Sequence, residues 1–260
     1  MSGISLLHPR RRGIMAVTFS LLTALAVWEL VARFGGMPAF MLPSPVQVYR
    51  RFWLALADGS LAANAAVTLL EVVCGLVLGV SVAALLGYLL ARSVRLEQAL
   101  SPFIVASQSV PVVAIAPLLV IWFGSGIFSK ILICALIVFF PVLVNTIVGM
   151  RSVPEDLRDL MRSLQATWWQ TFRILEIHAA LPVLLGGLRI GATLSVIGAV
   201  VGELVGADRG LGFLINVGRG LYDTSMVFVS VFTLILMAMS LYGLVAWLER
   251  RLLSWQRRKL

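Results

Sequence analysis

The sequence is short of charge. Asp, Glu, Lys and Arg make up 13% of its 260 residues, whereas hydrophobic residues make up 60%. Water-soluble domains carry about 25% charged and about 45–50% apolar residues. A soluble core of this length cannot bury so many apolar side chains, so much of the surface must face lipid. The composition excludes a disordered chain, a disulfide-rich secreted module and an ordinary soluble enzyme, and it predicts a membrane protein built only of α-helices.

Residues that carry catalytic chemistry are also scarce. Cys74 and Cys134, the only cysteines, lie in apolar runs without a nearby Cys or His, so we interpret both as small buried residues. Neither histidine belongs to an HExxH motif or a Ser/His/Asp set. Lys130 and Lys259, the only lysines, lack the Gly-Lys-Ser/Thr context that surrounds nucleotide phosphates. We therefore expect a non-catalytic chain without cofactor or metal, and any ATP hydrolysis in a separate subunit.

Long apolar runs, in contrast, are abundant. A helix needs about 20 apolar residues to cross the hydrocarbon core. Six segments meet this requirement: residues 14–33, 64–90, 102–123, 128–149, 183–205 and 226–248. They predict a six-span domain over residues 14–248, between an amino-terminal tail at 1–13 and a basic tail at 249–260.

Positive charge is distributed unevenly between the loops. If the amino terminus is cytoplasmic, fourteen of the 21 Lys and Arg residues fall inside, six fall outside and Arg189 lies within a span. Positively charged loops are retained in the cytoplasm. We therefore predict that the protein lies in the inner cell membrane with both termini cytoplasmic. The net charge of +9 then reflects topology and requires no nucleic-acid partner.

A few polar residues interrupt the spans. Gln108, Asn145 and Ser195 are candidates to line a path for a neutral, hydrogen-bonding solute, with helix packing as the alternative. Glu203 is the candidate for the outer part of that path, with a structural hydrogen bond as its alternative. Glu71 lies deeper in the second span and needs a partner that the sequence does not identify.

Small residues and prolines are expected to shape the spans. Small residues four positions apart let helix backbones approach closely, either in static packing or in a sliding contact. Such rows are Gly75, Gly79, Ala83 and Gly87 in the second span, and Gly198, Gly202 and Gly206 in the fifth. We expect Pro111, Pro117 and Pro141 to bend their spans. In the first outer loop, Ser44 and Pro45 suit the cap and first position of a short amphipathic helix.

The cytoplasmic loop at residues 151–181 is too long to be a turn. Ser152 to Glu155 and Thr167 to Gln170 each form a capping box, which predicts two short helices joined near Gln165 and Ala166. The second helix presents large apolar side chains suited to a groove on another protein, or alternatively to the lipid headgroups. These side chains are Trp168, Trp169, Phe172 and Leu175, with Arg173 among them.

The same loop resembles the coupling loop of permease subunits of bacterial ATP-binding-cassette importers. In that family the loop reads Glu-Ala-Ala, three residues, Gly, and later Ile-x-Leu-Pro. Here Asp159-Leu160-Met161 replaces Glu-Ala-Ala, Gln165 replaces Gly, His178 replaces a Pro, and Ala179 to Pro182 completes the motif at the same spacing. The resemblance implies that an ATPase contacts the loop. The candidate contact residues are Asp159, Gln165, Ala166, Trp168, Trp169, Phe172 and Arg173.

The resemblance extends over nearly the whole chain. Its other motifs are Leu42-Pro43-Ser44-Pro45, Trp122-Phe123-Gly124, Gly202-Glu203 and Gly210-Leu211-Gly212-Phe213. It implies a type I importer permease fold of six transmembrane helices. It also implies three partners: a cytoplasmic ATPase dimer, an extracytoplasmic solute-binding protein and a second permease copy.

The substrate class is narrowed by shorter motifs. The chain is similar to the subfamily of sulfonate, taurine, nitrate and thiamine-precursor permeases. Ser107 to Pro111, Ala116-Pro117 and Ser195 to Ala199 look closer to its pyrimidine and riboflavin branch. We therefore expect a vitamin or vitamin precursor as solute, with a sulfonate, taurine or nitrate as the alternative. The rival from another class is a self-contained channel or ion-coupled secondary transporter.

Overall fold

The computed structural model describes the backbone of residues 9–253, and the side chains of residue 16 and residues 18–253. This part of the chain is helical and contains no strand. Its helices are α1 (Pro9–Phe34), α2 (Pro45–Ala57), α3 (Ser60–Arg92), α4 (Val94–Gln108), α5 (Val112–Phe123), α6 (Ile127–Arg151), α7 (Glu155–Ser163), α8 (Trp168–Gln170), a π-helical segment (Thr171–Glu176), α9 (Ile177–Gly206), α10 (Leu211–Gly220) and α11 (Thr224–Leu252).

Both predicted tails lie largely outside the described residues. Residues 1–8 and 254–260, which include three of the basic residues counted at the carboxyl terminus, are outside that range, as are the side chains of the arginines at 10–12. The remaining tail residues are helical except Leu253, the C-cap of α11, because α1 already begins at Pro9 and α11 continues to Leu252.

Apolar length identifies the membrane-spanning helices. Four described stretches qualify singly: α3, α6, the helix from Trp168 to Gly206, and α11. Helices α4 and α5 qualify together as a fifth span. They join the two ends of the bundle, because Glu97 near the start of α4 pairs with Arg151 at the end of α6, whereas Phe123 at the end of α5 contacts Phe128 at the start of α6. Helix α1, with 26 residues and a length of about 39 Å, is long enough to cross a membrane, but it is not among the helices that qualify by apolar length, so the sixth span stays a prediction.

The third span, predicted over residues 102–123 with bends at its prolines, consists of two helices. It bends by 89° between α4 and α5. Pro111 is the N-cap of α5 and adopts an extended conformation, and proline disfavours the helical conformation in the residue before it. The expected bend at Pro111 is therefore confirmed. Pro117 and Pro141 lie inside α5 and α6 without ending them.

Helix α6 lies at the centre of the bundle and packs against α3 and α9. Glycines permit the close approach: Gly75 of α3 lies against the side chain of Cys134, and Gly198 of α9 against its backbone. A methyl group at either glycine would overlap Cys134, so the small-residue rows are confirmed as close-packing surfaces. Cys134 is buried as predicted, but Cys74 is exposed, because its neighbour Gly75 takes the inward position.

Polar contacts fix the remaining helices. Ser44 caps α2 in a capping box with Gln47, and Pro45 is its first residue, as predicted. Arg51 of α2 pairs with Asp223 at the start of α11 at 2.7 Å. Arg189, the charge within the fifth span, donates to Glu249 of α11, so this charge is paired inside the protein.

Candidate functional site

The loop at residues 151–181 begins with α7, which starts differently from the prediction. Pro154 is its N-cap and makes no side-chain capping bond. Ser152 instead ends α6, and its hydroxyl donates to the carbonyl of Gly149 at 2.7 Å. The predicted capping box from Ser152 to Glu155 was therefore wrong, because the preceding helix uses the serine first.

The turn after α7 depends on Gln165. The amide of Gln165 donates to the carbonyl of Arg162 at 2.9 Å, and the amide of Ala166 donates to the carbonyl of Met161 at 3.0 Å. These two bonds form the Schellman motif that commonly ends a helix. Gln165 has a φ of 52°, a left-handed conformation that glycine adopts without steric cost. The expected turn at this glutamine is confirmed.

The second capping box is present. The Thr167 hydroxyl accepts from the Gln170 amide, and the Gln170 side chain accepts from the Thr167 amide at 2.7 Å. The helix that follows is not a separate short helix, as predicted. It runs from Trp168 through the π-helical segment to Gly206, so the loop continues directly into the fifth span. A displacement of the loop therefore acts on one end of a spanning helix.

An aromatic cluster covers the loop. Trp168 and Trp169 are 52% and 56% exposed. Phe172 stacks on Trp168 with ring centroids 5.8 Å apart, and it packs edge-on against Tyr88 of α3 at 5.0 Å. The two tryptophans thus form an exposed apolar surface, and the phenylalanine attaches that surface to the second span.

Arg92, the last residue of α3, makes a second attachment. Its guanidinium lies 4.9 Å from the Tyr88 ring centroid and 5.1 Å from that of Trp168. It also pairs with Glu176, a 5% exposed carboxylate, at 3.3 Å. Sequence reasoning missed this contact, because residues 84 positions apart carry no local signal of pairing.

The other predicted contact residues lie on the same loop. Asp159 forms an exposed ion pair with Arg162 at 3.0 Å. Arg173 is exposed, and its carbonyl contacts the ring of His178. Ala166 is half-buried at the turn. The loop therefore carries exposed charged and aromatic residues together with a half-buried small residue at its turn.

The opposite end of the bundle contains a buried polar cluster. Helix α10 begins at Leu211 without a capping side chain of its own. Three distant side chains take that role. The amide of Gly210 donates to Asn64 at 2.7 Å, the amide of Leu211 donates to Thr68 at 2.8 Å, and the amide of Gly212 donates to Glu203. Thr68 in turn donates to Glu203 at 2.6 Å.

Glycine is required where α10 meets Glu203. Gly210 has a φ of 113°, a conformation that residues with a Cβ rarely adopt, and a Cβ there would overlap the Glu203 carboxylate. Glu203 has no exposed surface. The sequence allowed two roles for Glu203, in the translocation path or in a structural hydrogen bond. Its contacts are those of a structural hydrogen bond.

Glu71 and Lys130 extend the cluster. Glu71 lies close enough to Glu203 and Lys130 to interact with both charges, so its neighbours in the bundle are these two residues. Lys130 is 1% exposed and donates to the carbonyls of Ser125 and, at 2.6 Å, Gly206. One carboxylate oxygen of Glu71 has no hydrogen-bond partner among the described residues. A cavity of about 230 Å³ borders both Glu71 and Lys130.

Comparison with known proteins identifies the family to which this fold belongs. Residues 75–254 match the family described as the inner membrane component of binding-protein-dependent transport systems. The match includes the coupling loop and five of the spans. The chain belongs to this family of importer permeases.

Related permeases cover nearly the whole chain. It is 46% identical to the riboflavin transport system permease RibX of Chloroflexus aurantiacus over 93% of the chain and 90% of the relative. It is 37% identical to the formylaminopyrimidine permease ThiX of Halalkalibacterium halodurans over 93% of the chain and 96% of the relative. It is 33% identical to the sulfonate permease SsuC of Bacillus subtilis over 89% of the chain and 84% of the relative.

A solved importer shares the fold. The inward-facing MetNI methionine transporter matches with a TM-score of 0.64 and 20% identity, over 75% of the permease described here and 97% of the MetNI chain. At this identity the likeness establishes the fold alone. The permease is therefore a helical type I importer subunit embedded in the membrane.

The four path candidates occupy different environments in the permease. Gln108 is exposed at the bend between α4 and α5. Asn145 is half-buried and donates to the carbonyl of Pro141 at 2.8 Å. Ser195 is fully buried and donates to the carbonyl of Ala192 at 2.9 Å, and Glu203 belongs to the outer cluster. Of the four, Gln108 alone has a freely exposed side chain.

Proposed function

We propose that the permease imports a small organic solute by alternating access, driven by a separate cytoplasmic ATPase dimer. An extracytoplasmic binding protein delivers the solute, and a second permease copy completes the pathway. Family membership supports the binding protein and the ATPase, because the family is defined by binding-protein-dependent transport. The proposal includes Gln108 as a path-lining residue, and Asn145 and Ser195 as residues that become accessible as the spans rearrange.

The coupling loop is the observation that carries this proposal. The exposed tryptophans are suited to a groove on the ATPase, and Asp159 and Arg173 supply exposed charge around them. Motion of the loop would act on α3 through Arg92 and on α9 through the continuous helix. Because packed helices move as rigid units, such a push rotates spans and does not deform them.

The topology of the proposal follows the distribution of positive charge. The loop and the basic residues around it are placed in the cytoplasm with both termini, and the cluster around Glu203 at the outer face of the inner membrane. Fourteen of 21 basic residues are then cytoplasmic. A cysteine-accessibility scan of single substitutions at Arg95 and Arg219 would test this placement from the two sides.

We further propose a vitamin or vitamin precursor of the riboflavin or pyrimidine type as solute. The support is the 46% and 37% identity to permeases named for riboflavin and formylaminopyrimidine, against 33% for the sulfonate permease. Labelled riboflavin and a labelled aminopyrimidine should compete for uptake by the complete importer. Uptake of taurine or an alkanesulfonate instead would assign the chain to the alternative class.

Dependence on the ATPase is tested with the permease, the binding protein and the ATPase in one proteoliposome. Trp168→Ala combined with Trp169→Ala should reduce co-purification of the ATPase and uptake by at least tenfold, because the exposed aromatic surface is lost. Trp247→Ala, which removes a 49% exposed tryptophan from α11, is the matched control and should leave both unchanged.

Two results would contradict the proposal. Retained ATPase association in the double variant would mean that the tryptophans contact the lipid headgroups and not the ATPase. Uptake that continues without the ATPase and stops when an ion gradient is collapsed would establish an ion-coupled transporter instead.

A further inference from the structure

A basic pocket lies where α3 ends against the coupling loop. Its volume is about 280 Å³, and it is lined by three arginines, Arg92, Arg158 and Arg162, together with Trp168 and Glu176. Arg92 closes the side toward the spans, and the other two arginines come from α7. The pocket is thus enclosed between a transmembrane helix and a cytoplasmic one.

The charges lining this pocket do not balance. Three guanidinium groups face one carboxylate, Glu176, which Arg92 already approaches at 3.3 Å. The exposed pair between Arg162 and Asp159 contributes little, because exposed ion pairs are weak. The pocket therefore retains a surplus of positive charge that the described residues do not neutralise.

Arg158 also has an unused donor. Its terminal nitrogen donates to the carbonyl of Met150 at 2.9 Å, which fixes the side chain in the pocket wall. Its Nε is buried and has no hydrogen-bond partner among the described residues. A buried donor without an acceptor is unfavourable, so an acceptor that enters the pocket from outside the chain would be stabilised there.

The position of the pocket indicates which molecule would provide that acceptor. Arg92 is the last residue of the α3 span, so the pocket lies at the depth of the lipid headgroups. Arginine forks bind phosphate oxygens in pairs, and basic pockets between helices on the cytoplasmic side bind anionic headgroups. Tryptophan at this depth suits the same interface.

We propose that the pocket binds the phosphate group of an anionic phospholipid. The bound headgroup would bridge Arg92 of the span and Arg158 and Arg162 of the loop, and so stabilise the loop against α3. This proposal depends on the membrane placement of the chain and not on its contact with an ATPase. It therefore makes the lipid a structural ligand of the coupling region.

The test uses the full chain in a nonionic detergent, titrated with phosphatidylglycerol, phosphatidylcholine or inorganic phosphate. Native mass spectrometry counts the lipid bound to each chain. Phosphatidylglycerol should bind and phosphatidylcholine should not. Arg158→Gln combined with Arg162→Gln should weaken phosphatidylglycerol binding about thirtyfold, since each basic residue near an anionic surface contributes to affinity by about a factor of five.

Two further variants keep the result interpretable. Arg95→Gln with Arg250→Gln removes the same net charge from exposed arginines outside the pocket, and it should bind phosphatidylglycerol like the parent chain. Arg158→Lys with Arg162→Lys retains the charge without the planar fork and should bind with intermediate affinity.

Three outcomes would overturn the proposal. Equal phosphatidylglycerol binding by the Gln pair at 158 and 162 and the parent chain would remove the arginines from any lipid site. Binding of inorganic phosphate as tightly as phosphatidylglycerol would assign the pocket to a soluble anion. Loss of ATPase association in that variant, with no lipid preference in the parent chain, would assign the pocket to an acidic group of the ATPase.

Discussion

The two ends of the helix bundle, called outer and inner after the proposed topology, differ in how far their polar and aromatic side chains are buried. At the outer end, Glu203, Thr68 and Lys130 are fully or almost fully buried, and their hydrogen bonds join α3, α6, α9 and α10. At the inner end, Trp168 and Trp169 are about half exposed, and one arginine links their helix to α3. Apart from one oxygen of Glu71, the polar groups of the outer cluster find their partners within the described residues, whereas the inner end has exposed apolar surface and surplus positive charge.

This difference indicates which end can exchange partners. A buried polar network has strict geometry, because every group left without a partner is costly. Exposed aromatic and arginine side chains can be covered and uncovered with little loss of internal structure. We therefore expect the outer cluster to act as a fixed joint about which the spans turn, and the inner surface to be where an external component acts.

The largest effect is expected from breaking the outer joint. Glu203→Ala leaves the amide of Gly212 without its acceptor and the hydroxyl of Thr68 with only the carbonyl of Asn64, at 3.2 Å. The unpaired amide alone costs about 1–3 kcal/mol. The thermal unfolding midpoint in detergent should fall by about 10 °C.

Glu29→Ala is the control for this change. It removes a partly exposed carboxylate near the outer end of α1, whose pair with Arg33 is worth less than about 1 kcal/mol. If both variants unfold at the same temperature, the outer cluster is not a joint and the contrast between the two ends disappears.

A smaller effect is expected from breaking the inner link. Arg92→Gln leaves Glu176 with the Tyr88 hydroxyl at 3.5 Å as its remaining side-chain contact, and removes the cation from the Trp168 ring. We expect a loss of about 1–2 kcal/mol in stability and a red shift of tryptophan fluorescence as Trp168 becomes more mobile. Arg95→Gln, an exposed neighbour, should change neither quantity, and an equal change in both variants would argue against the link.

Much of the architecture could be predicted from the sequence, because apolar length and capping chemistry are local. The five spans that the structure supports, the caps at Ser44 and Thr167, and the turn at Gln165 follow from residues within a few positions of each other. The 89° bend at Pro111 was expected only as a bend, since proline breaks a helix but does not set the angle.

The contacts that organise the two ends could not be predicted. Asn64 and Thr68 cap α10 from positions 146 and 143 residues away in the chain, and Arg92 meets Glu176 across 84 residues. A polar residue in a span indicates that a partner exists but not which helix provides it. Ser152 was also predicted wrongly, although its partners are local. Its hydroxyl could have capped α7 but instead bonds to the end of α6.

The smallest expected effect is a gain in stability at the inner end, from a substitution at Gln165. Gln165 occupies the left-handed position of a Schellman motif at a φ of 52°, where glycine has no steric penalty. Gln165→Gly should therefore stabilise the chain by about 0.5–1 kcal/mol, because the relief of backbone strain exceeds the added flexibility of the unfolded chain. Ala166→Gly, one residue later, gains no such relief and should be neutral or slightly destabilising. Unfolding midpoints of both variants distinguish the cases, and a lower midpoint for Gln165→Gly would mean that the glutamine side chain itself contributes to the turn.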